Sequence, residues 1–344
     1  MNNSNRKILV ITGSFPPDIC GVGDYTYHLL NSESAQDWSL YKPENWSILS
    51  TGSRIKEIRK QNPGIIFLQF PTLGYGWSIV PHLICLYFSV FTKITFVVVF
   101  HELSQLSRKA GLASFLLLLS ANKLIFTSEF ELNYAAGLFS RTRKISRVIR
   151  LASNIRPPAG IKQIENRNWD IVNFGLFRPA RGIEEFIEII KEIRINNPAL
   201  KIALLGQVPK GKELYFAGIS KVCDEISISI FRNLEESEIA GILNDSKIAL
   251  LPFPDGVSER RGTFLAALVN GAVVVTTKGM HTTRSLEEIT VIADAGNAAR
   301  KVLNLLNEDT EHLQHRQKAG FSYLENEIPA SWNDIAKQYL SFVN

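Results

Sequence analysis

Apolar residues gather in short, β-branched runs separated by stretches of helical spacing, and this alternation organises the chain. In the first half the runs cover residues 7–12, 65–70, 94–100, 123–127 and 147–151. Unbroken apolarity is what a strand buried on both faces requires, so the pattern predicts parallel strands joined by crossover helices. Residues 31–49 are short and polar for their place in such a series, and any strand and helix there are abbreviated. The stretch SNIRPPAGIKQIENRN is proline-bearing and charged and reads as a linker. The alternation then restarts. Strands are expected over 170–174, 201–205, 226–231, 248–251, 272–276 and 290–293, with helices over 182–195, 235–243 and 263–269. The reading is α/β: a doubly wound domain over 1–156, a linker over 157–168 and a second doubly wound domain over 169–326. Sheets of this kind bind ligands beyond the carboxyl ends of their strands, and two side by side are expected to face each other across a cleft.

Residues 79–100 approach the ~20 apolar residues of a spanning helix. Their texture changes midway, however. IVPHLICLYFSVF carries His82 and suits a buried helix, Thr92-Lys93 interrupts it, and ITFVVVF is a strand. MNNSNRK is followed by too short an apolar run, before Ser14-Phe15-Pro16-Pro17, for a secretory signal. Cys20, Cys85 and Cys223 are few and far apart, giving neither a disulfide framework nor metal-ligand spacing. The expected compartment is therefore a reducing cytoplasm, with no metal site. At 344 residues, 45% apolar and 21% charged, the chain suits two globular domains. A net charge of +5 suits phosphorylated ligands or an anionic lipid surface but does not single out nucleic acid, which is not expected as a partner.

Candidate chemistry sits where strands end and helices begin. The richest segment runs IALLPFP, DGVSERRG, TFLAALVNG, AVVVTT, a strand, loop, helix and strand. Gly256 and Gly262 permit close backbone approach, Ser258 and Thr263 can donate or cap, and Arg260 and Arg261 add fixed charge beside Glu259 at a helix start that already favours an anion. A phosphate or diphosphate fits there; a capped surface helix with solvated arginines is the bland alternative. In VNFGLFRPARGIEEF, Gly175, Arg178 and Arg181 precede another helix, and a cation there makes sense if an anion binds between. In ITGSFPPDICGVGDYTYHLL, Gly21 and Gly23 lack the third glycine of a dinucleotide fingerprint. Asp24 can accept from a substrate hydroxyl or simply balance the helix dipole. His101-Glu102 ends a strand, and a neutral imidazole there can hydrogen-bond a sugar hydroxyl. Glu129 is a weaker candidate, and capping suffices to explain it. Tyr75 and Trp77 suit sugar stacking or plain burial.

Taken in order, these segments resemble the nucleotide-sugar glycosyltransferases of the GT-B fold, two Rossmann-like domains facing across a cleft, and most closely the retaining glycosyltransferase family 4. The resemblance runs nearly end to end. SFPPDICGVGDYTYHLL is similar to the family's opening loop and helix, VVVFHEL to its His-acid strand end, and RVIRLASNI to the close of its first domain. VNFGLFRPARGI resembles its second glycine-rich stretch, and PFPDGVSERRGTFLAALVNGAVVVTT its donor-binding unit. ASWNDIAKQYLSF, within residues 327–344, resembles the closing helix that crosses back to the first domain. The departures are specific. The usual arginine falls on Leu176 and the lysine on Arg181, the paired glycine becomes Cys20-Gly21, and the two donor-loop glutamates fall on Ser258 and Ala266. An S-x-R-R-G loop resembling this one occurs in a subset of the family.

The resemblance implies transfer of a sugar from a nucleoside-diphosphate sugar, the co-substrate in place of a bound cofactor, to a hydroxyl of a saccharide or lipid-linked acceptor, with retention and without metal, in cell-surface polysaccharide assembly. It casts Arg181, His101 and Asp24 as catalytic and Gly21, Gly23, Gly175, Arg178, Ser258, Glu259, Arg260, Arg261, Gly262 and Thr263 as donor-binding. The run Arg141, Arg143, Lys144, Arg147, Arg150 is a solvated face or a peripheral contact with the inner face of a membrane. A non-catalytic nucleotide-binding subunit on the same fold is the alternative, and a sugar-nucleotide epimerase ranks below it.

Overall fold

Six parallel strands build the first sheet: β1 (Ile8–Ile11), β2 (Ser39–Tyr41), β3 (Ile65–Phe70), β4 (Thr95–Phe100), β5 (Lys123–Phe126) and β6 (Ser146–Val148), in the order β2-β1-β3-β4-β5-β6. The computed structural model describes residues 6–157 and 160–344. Residues 1–5, on which part of the leader expectation rests, and Pro158 and Ala159 of the expected linker lie outside the described residues. Every residue of β3 is buried, as are all but the first of β4, and the two pair in register from Ile65↔Thr95 to Phe70↔Phe100. The crossovers are α1 (Gly21–Leu30), α2 (Thr51–Lys60), α3 (Val80–Phe91), α4 (Arg108–Ser120), α5 (Glu129–Leu138) and the single turn α6 (Thr142–Ile145). The apolar run over 79–100 is thus a short helix followed by a strand, and among the described residues no helix is long and apolar enough to cross a membrane. In the unassigned stretch 31–49 the structure has only the three-residue β2 and short helical turns.

The second sheet comprises β7 (Trp169–Leu176), β8 (Ile202–Gln207), β9 (Ser229–Arg232), β10 (Ser246–Leu251), β11 (Val273–Thr276) and β12 (Val291–Ile292), ordered β12-β11-β10-β7-β8-β9. Its helices are α7 (Ile183–Asn196), α8 (Glu213–Glu225), α9 (Glu236–Asn244), α10 (Gly262–Val269), α11 (Arg284–Ile289), α12 (Ala298–Asn307) and α13 (Thr310–Glu327). All strand pairs are parallel, and the fold is α/β as read. The alternating ISISIF over 226–231 suggests one strand, but the chain turns at Ser227 (φ 57°) and only the end of the run joins the sheet. Helices α8, α12 and α13 are additional to those expected from the pattern.

The chain divides into two compact units, residues up to 151 together with Ser331–Asn344, and Ala152–Ala330. The closing helix, α14 (Trp332–Val343), belongs to the first. Tyr339, fully buried, lies 4.9 Å from the Phe67 ring and shares a 2.7 Å hydroxyl contact with Tyr25. In the second unit the polar stretch read as a linker is in fact anchored over 160–168. Ile164 enters the core, and buried Arg167 donates to the carbonyls of Lys162, Ser246 and Asn270. Burial lowers its guanidinium to about 10, so those carbonyls hold a cation that has given up water. The charge was legible in the sequence; its carbonyl partners, distant along the chain, were not.

Both sheets have one point where the strand order reverses, between β1 and β3 and between β7 and β10. At each, the two loops leaving the carboxyl edge press backbone to backbone. Ser14 Oγ accepts from the Gly74 N–H at 2.8 Å, and a Cβ on Gly74 would run into the Gly13 carbonyl. Gly182 has φ 84°, and a Cβ there would strike the Pro252 carbonyl oxygen. Gly182→Ala is therefore expected to cost about 1–3 kcal/mol in urea denaturation. Gly262→Ala, where no atom lies near the added methyl, should leave the midpoint unchanged.

His82 on α3 gives a second expectation. It is 4% exposed, packs edge-on to Phe70, and is lowered by burial to about 4. Above its ordinary value of 6.5 the ring is neutral folded or unfolded, and no stability is at stake. Between there and about 4 only the unfolded chain binds the proton, so stability falls as pH falls, by up to about 1.4 kcal/mol per pH unit. His82→Leu should flatten that part of a stability-versus-pH curve.

Candidate functional site

At the switch point of the second sheet, the loop after β7 and the loop after β10 bring the cationic candidates to one edge. Asn173 of β7 ties the two strands together by donating to the Leu250 carbonyl at 2.8 Å, a buried link that sequence pattern does not reveal. Gly175 lies within β7, paired with Gly206 of β8. Phe177 is sunk in the core, so the flanking backbone is fixed and Arg178 leaves at the rim. The Arg178 Nε is enclosed and meets no acceptor among the described residues. Arg181 follows Ala180 (φ 58°) and precedes Gly182, the N-cap of α7, so it stands one residue outside the helix. The first turn of α7 carries Glu184 and Glu185, which already balance its dipole. A bound anion would therefore meet Arg181 itself more than the helix end.

The β10–α10 loop is the more constrained of the two. Val257 donates to the Thr277 carbonyl at 3.0 Å, and Thr282 Oγ1 donates to the Val257 carbonyl at 2.8 Å, lacing this loop to the one after β11. Thr277 Oγ1 also donates to the Phe253 carbonyl. These threonines were not singled out in the sequence, where nothing marks a hydroxyl whose partner lies twenty-odd residues away. Ser258 and Glu259 are buried, at 7% and 4% exposure, while Arg260 and Arg261 are half-buried. Arg261 pairs with Asp255 and its guanidinium lies 4.7 Å from the Phe253 ring centre. One arginine of the pair is thus held over an aromatic ring and beside a carboxylate, which fixes its position and offsets its charge. Arg261 is also the N-cap of α10, and no side chain caps that helix. Gly262 is exposed with open space beside it, and Thr263 is half-buried. Ala266 is wholly buried within α10.

In the first unit, the switch point lies beside α1. Cys20, which replaces a glycine of the family pattern, has an extended backbone (φ −151°) that any residue adopts. Gly21 opens α1 with open space where a Cβ would stand, whereas a Cβ on Gly23 would press on the Ser14–Phe15 backbone. Asp24 is exposed in the first turn. His101 follows β4 and is 5% exposed; its Nε2 lies 2.8 Å from Gln69 Oε1, and the ring stands edge-on 4.7 Å from Tyr25. An amide oxygen only accepts, so Nε2 carries the proton. Gln69, Tyr25 and Tyr339 were missed because each reads as an ordinary core position. Glu102 and Glu129 are exposed, and it is Ser128 that caps α5. The buried carboxylate here is Glu131, accepting from Ser104 N and Oγ at 2.9 and 2.6 Å. Tyr75 packs 4.8 Å from Trp46 in the core, while Trp77 is 82% exposed. Among the described residues no group of three or more His, Cys, Asp or Glu is placed to hold a metal ion.

No protein-family model and no curated relative matches the chain. Solved structures do. HepE of Anabaena, determined with UDP and glucose, is similar with a TM-score of 0.70 over 98% of this chain and 100% of its own, at 12% identity. A glycosyltransferase from Rickettsia africae has a TM-score of 0.68 over 98% and 97%, at 13% identity. The N-terminal domain of Candida albicans trehalose-6-phosphate phosphatase gives 0.68 over 98% and 97%, at 9% identity. At such identities the likeness speaks for architecture alone: two parallel six-stranded α/β sheets, the fold of the GT-B glycosyltransferases.

Proposed function

We propose that the protein is a glycosyltransferase that moves a sugar from a nucleoside-diphosphate sugar to a hydroxyl of a saccharide or lipid-linked acceptor, retaining configuration and using no metal. The observation that carries the reading is the cationic edge at the second switch point, where Arg178, Arg181, Arg260 and Arg261 occupy two adjoining loops beside an uncapped helix start. The resemblance of the sequence segments supports the same reading, as does the occurrence of UDP in the similar HepE structure. In the proposed reaction the bond from the anomeric carbon to the diphosphate oxygen breaks and its electron pair leaves with the phosphate. The acceptor oxygen bonds to that carbon, and its proton passes to the departing phosphate oxygen. Negative charge grows on the diphosphate, so arginines fixed in advance lower the barrier. Arg178 and Arg181 are assigned to that task, with Gly262 and Thr263 giving backbone access. Arg261, already paired, positions the loop. Asp24 and His101 are the candidates for acceptor recognition, His101 oriented by Gln69.

A second reading, a nucleotide-binding subunit without transferase activity, is favoured by one observation. Ala266, where the family pattern has a sugar- or ribose-binding carboxylate, is buried and has no side-chain hydrogen-bonding group.

The test is a thermal-shift screen with chelator present against UDP, GDP, ADP, CDP and TDP, repeated on Arg181→Ala. Ligand at a hundred times its dissociation constant adds about 2.7 kcal/mol to stability, so one diphosphate should raise the wild-type midpoint and leave the variant unmoved. With a matching donor and an accepted acceptor, Arg181→Ala should lose roughly 100- to 1000-fold in turnover. Unaltered turnover removes Arg181 from the site, and binding without transfer or donor hydrolysis favours the second reading.

A further inference from the structure

Within the first unit a series of buried contacts runs from the last helix to His101. Trp332 and Tyr339 lie two turns apart on one side of α14. The Trp332 ring stacks on His28 at 5.3 Å and stands edge-on to Tyr25 at 5.0 Å, while the Tyr339 hydroxyl lies 2.7 Å from the Tyr25 hydroxyl. Tyr25 in turn stands edge-on 4.7 Å from the His101 ring. Phenylalanine would fill both tyrosine positions with no hydroxyl to bury, and a buried hydroxyl is costly unless it is partnered. Burial raises the pKa of both phenols, so each stays a neutral hydroxyl with one proton to give.

Gln69 joins this pair to the histidine. It is the sole polar residue of β3 and is fully buried. Its Oε1 accepts from His101 Nε2 at 2.8 Å, and the other end of the amide faces the Tyr339 hydroxyl, where it favours negative charge on the phenol oxygen. The Gln69 nitrogen makes no full hydrogen bond among the described residues, so this contact is what tells the two ends of the amide apart. An amide turned about would offer His101 an N–H, and the ring would have to accept at Nε2 and carry its proton on Nδ1. We propose that Tyr339 is a positioning residue for His101: its proton goes to Tyr25, its lone pairs keep the Gln69 nitrogen turned toward them, and the Gln69 oxygen thereby holds His101 in the Nε2–H form, with Nδ1 as the accepting nitrogen. That this form receives an acceptor hydroxyl rests on the function proposed above; the tautomer itself does not.

The experiment is long-range proton–nitrogen NMR of the full chain labelled at histidine nitrogen, with the His101 signals identified by their loss in His101→Asn. The wild type should show the Nε2–H form alone. Tyr339→Phe, which keeps the ring, should show a mixture with the Nδ1–H form, as should Gln69→Leu, which removes the direct partner. Loss of one hydroxyl leaves the other buried and unpaired, so Tyr25→Phe with Tyr339→Phe is measured too; it keeps both rings, orphans no hydroxyl and should give the same mixture. With the matching donor and acceptor, Tyr339→Phe should lower kcat/KM for the acceptor roughly tenfold while diphosphate binding is unchanged. A wild type in the Nδ1–H form overturns the proposal, as does a pure Nε2–H form in the single and the double variant, which leaves Tyr339 a core residue only. A shifted tautomer with unaltered transfer supports the positioning and instead removes His101 from acceptor recognition.

Discussion

Both faces of a parallel sheet must be covered, because every crossover lays a helix across one of them, and this constraint decides where chemistry can occur in the chain. The central strands have almost no polar side chain to spare. Polar groups that do enter them, Gln69 in β3 and Asn173 in β7, are buried and serve neighbours: one orients His101, the other ties β7 to β10. Charge is expelled to the strand ends, and the arginines therefore lie in the loops at the carboxyl edge of the second sheet. The edge itself is built by close backbone approach, as where Gly182 meets Pro252, so the loops are held by the scaffold instead of merely hanging from it.

The two units reach a similar edge by different strand orders. The first places its reversal between β1 and β3 near one side of the sheet, and the second places it at the centre, between β7 and β10. Each reversal separates two helices that lie on opposite faces, which opens a crevice without any irregular backbone. In the first unit the segments following the strands at that edge carry a histidine held by an amide and an exposed tryptophan; in the second they carry arginines. This difference in chemistry separates the two edges more than any difference in fold.

Much of this was legible in the sequence because it is local. Unbroken β-branched runs marked β3, β4, β10 and β11 to within a residue or two, and Asn270-Gly271 marked the end of α10. The Cys20 position tolerates a side chain because its backbone is extended, as a negative φ requires. What escaped was long-range. Nothing near Arg167 announces carbonyls from Ser246 and Asn270, so a structural arginine was read as part of a polar linker. The pairing of Arg261 with Asp255 and Phe253 was hidden because six or eight residues of loop can close in many ways. Helices α8, α12 and α13 went unmarked, although α12 presents a clear apolar stripe of Ala298, Ala299, Val302 and Leu305.

The last helix, α14, has a consequence for how the chain acquires its structure as it is made. Tyr339 fills the space over Phe67 and Trp38, yet it is synthesised only after the whole of the second unit. During vectorial synthesis the second unit has all its residues in hand first, while the first waits with an aromatic-lined gap in its core. The unit that begins first is thus the one completed last, and the exposed gap is the place where a nascent chain of this design would need protection from aggregation.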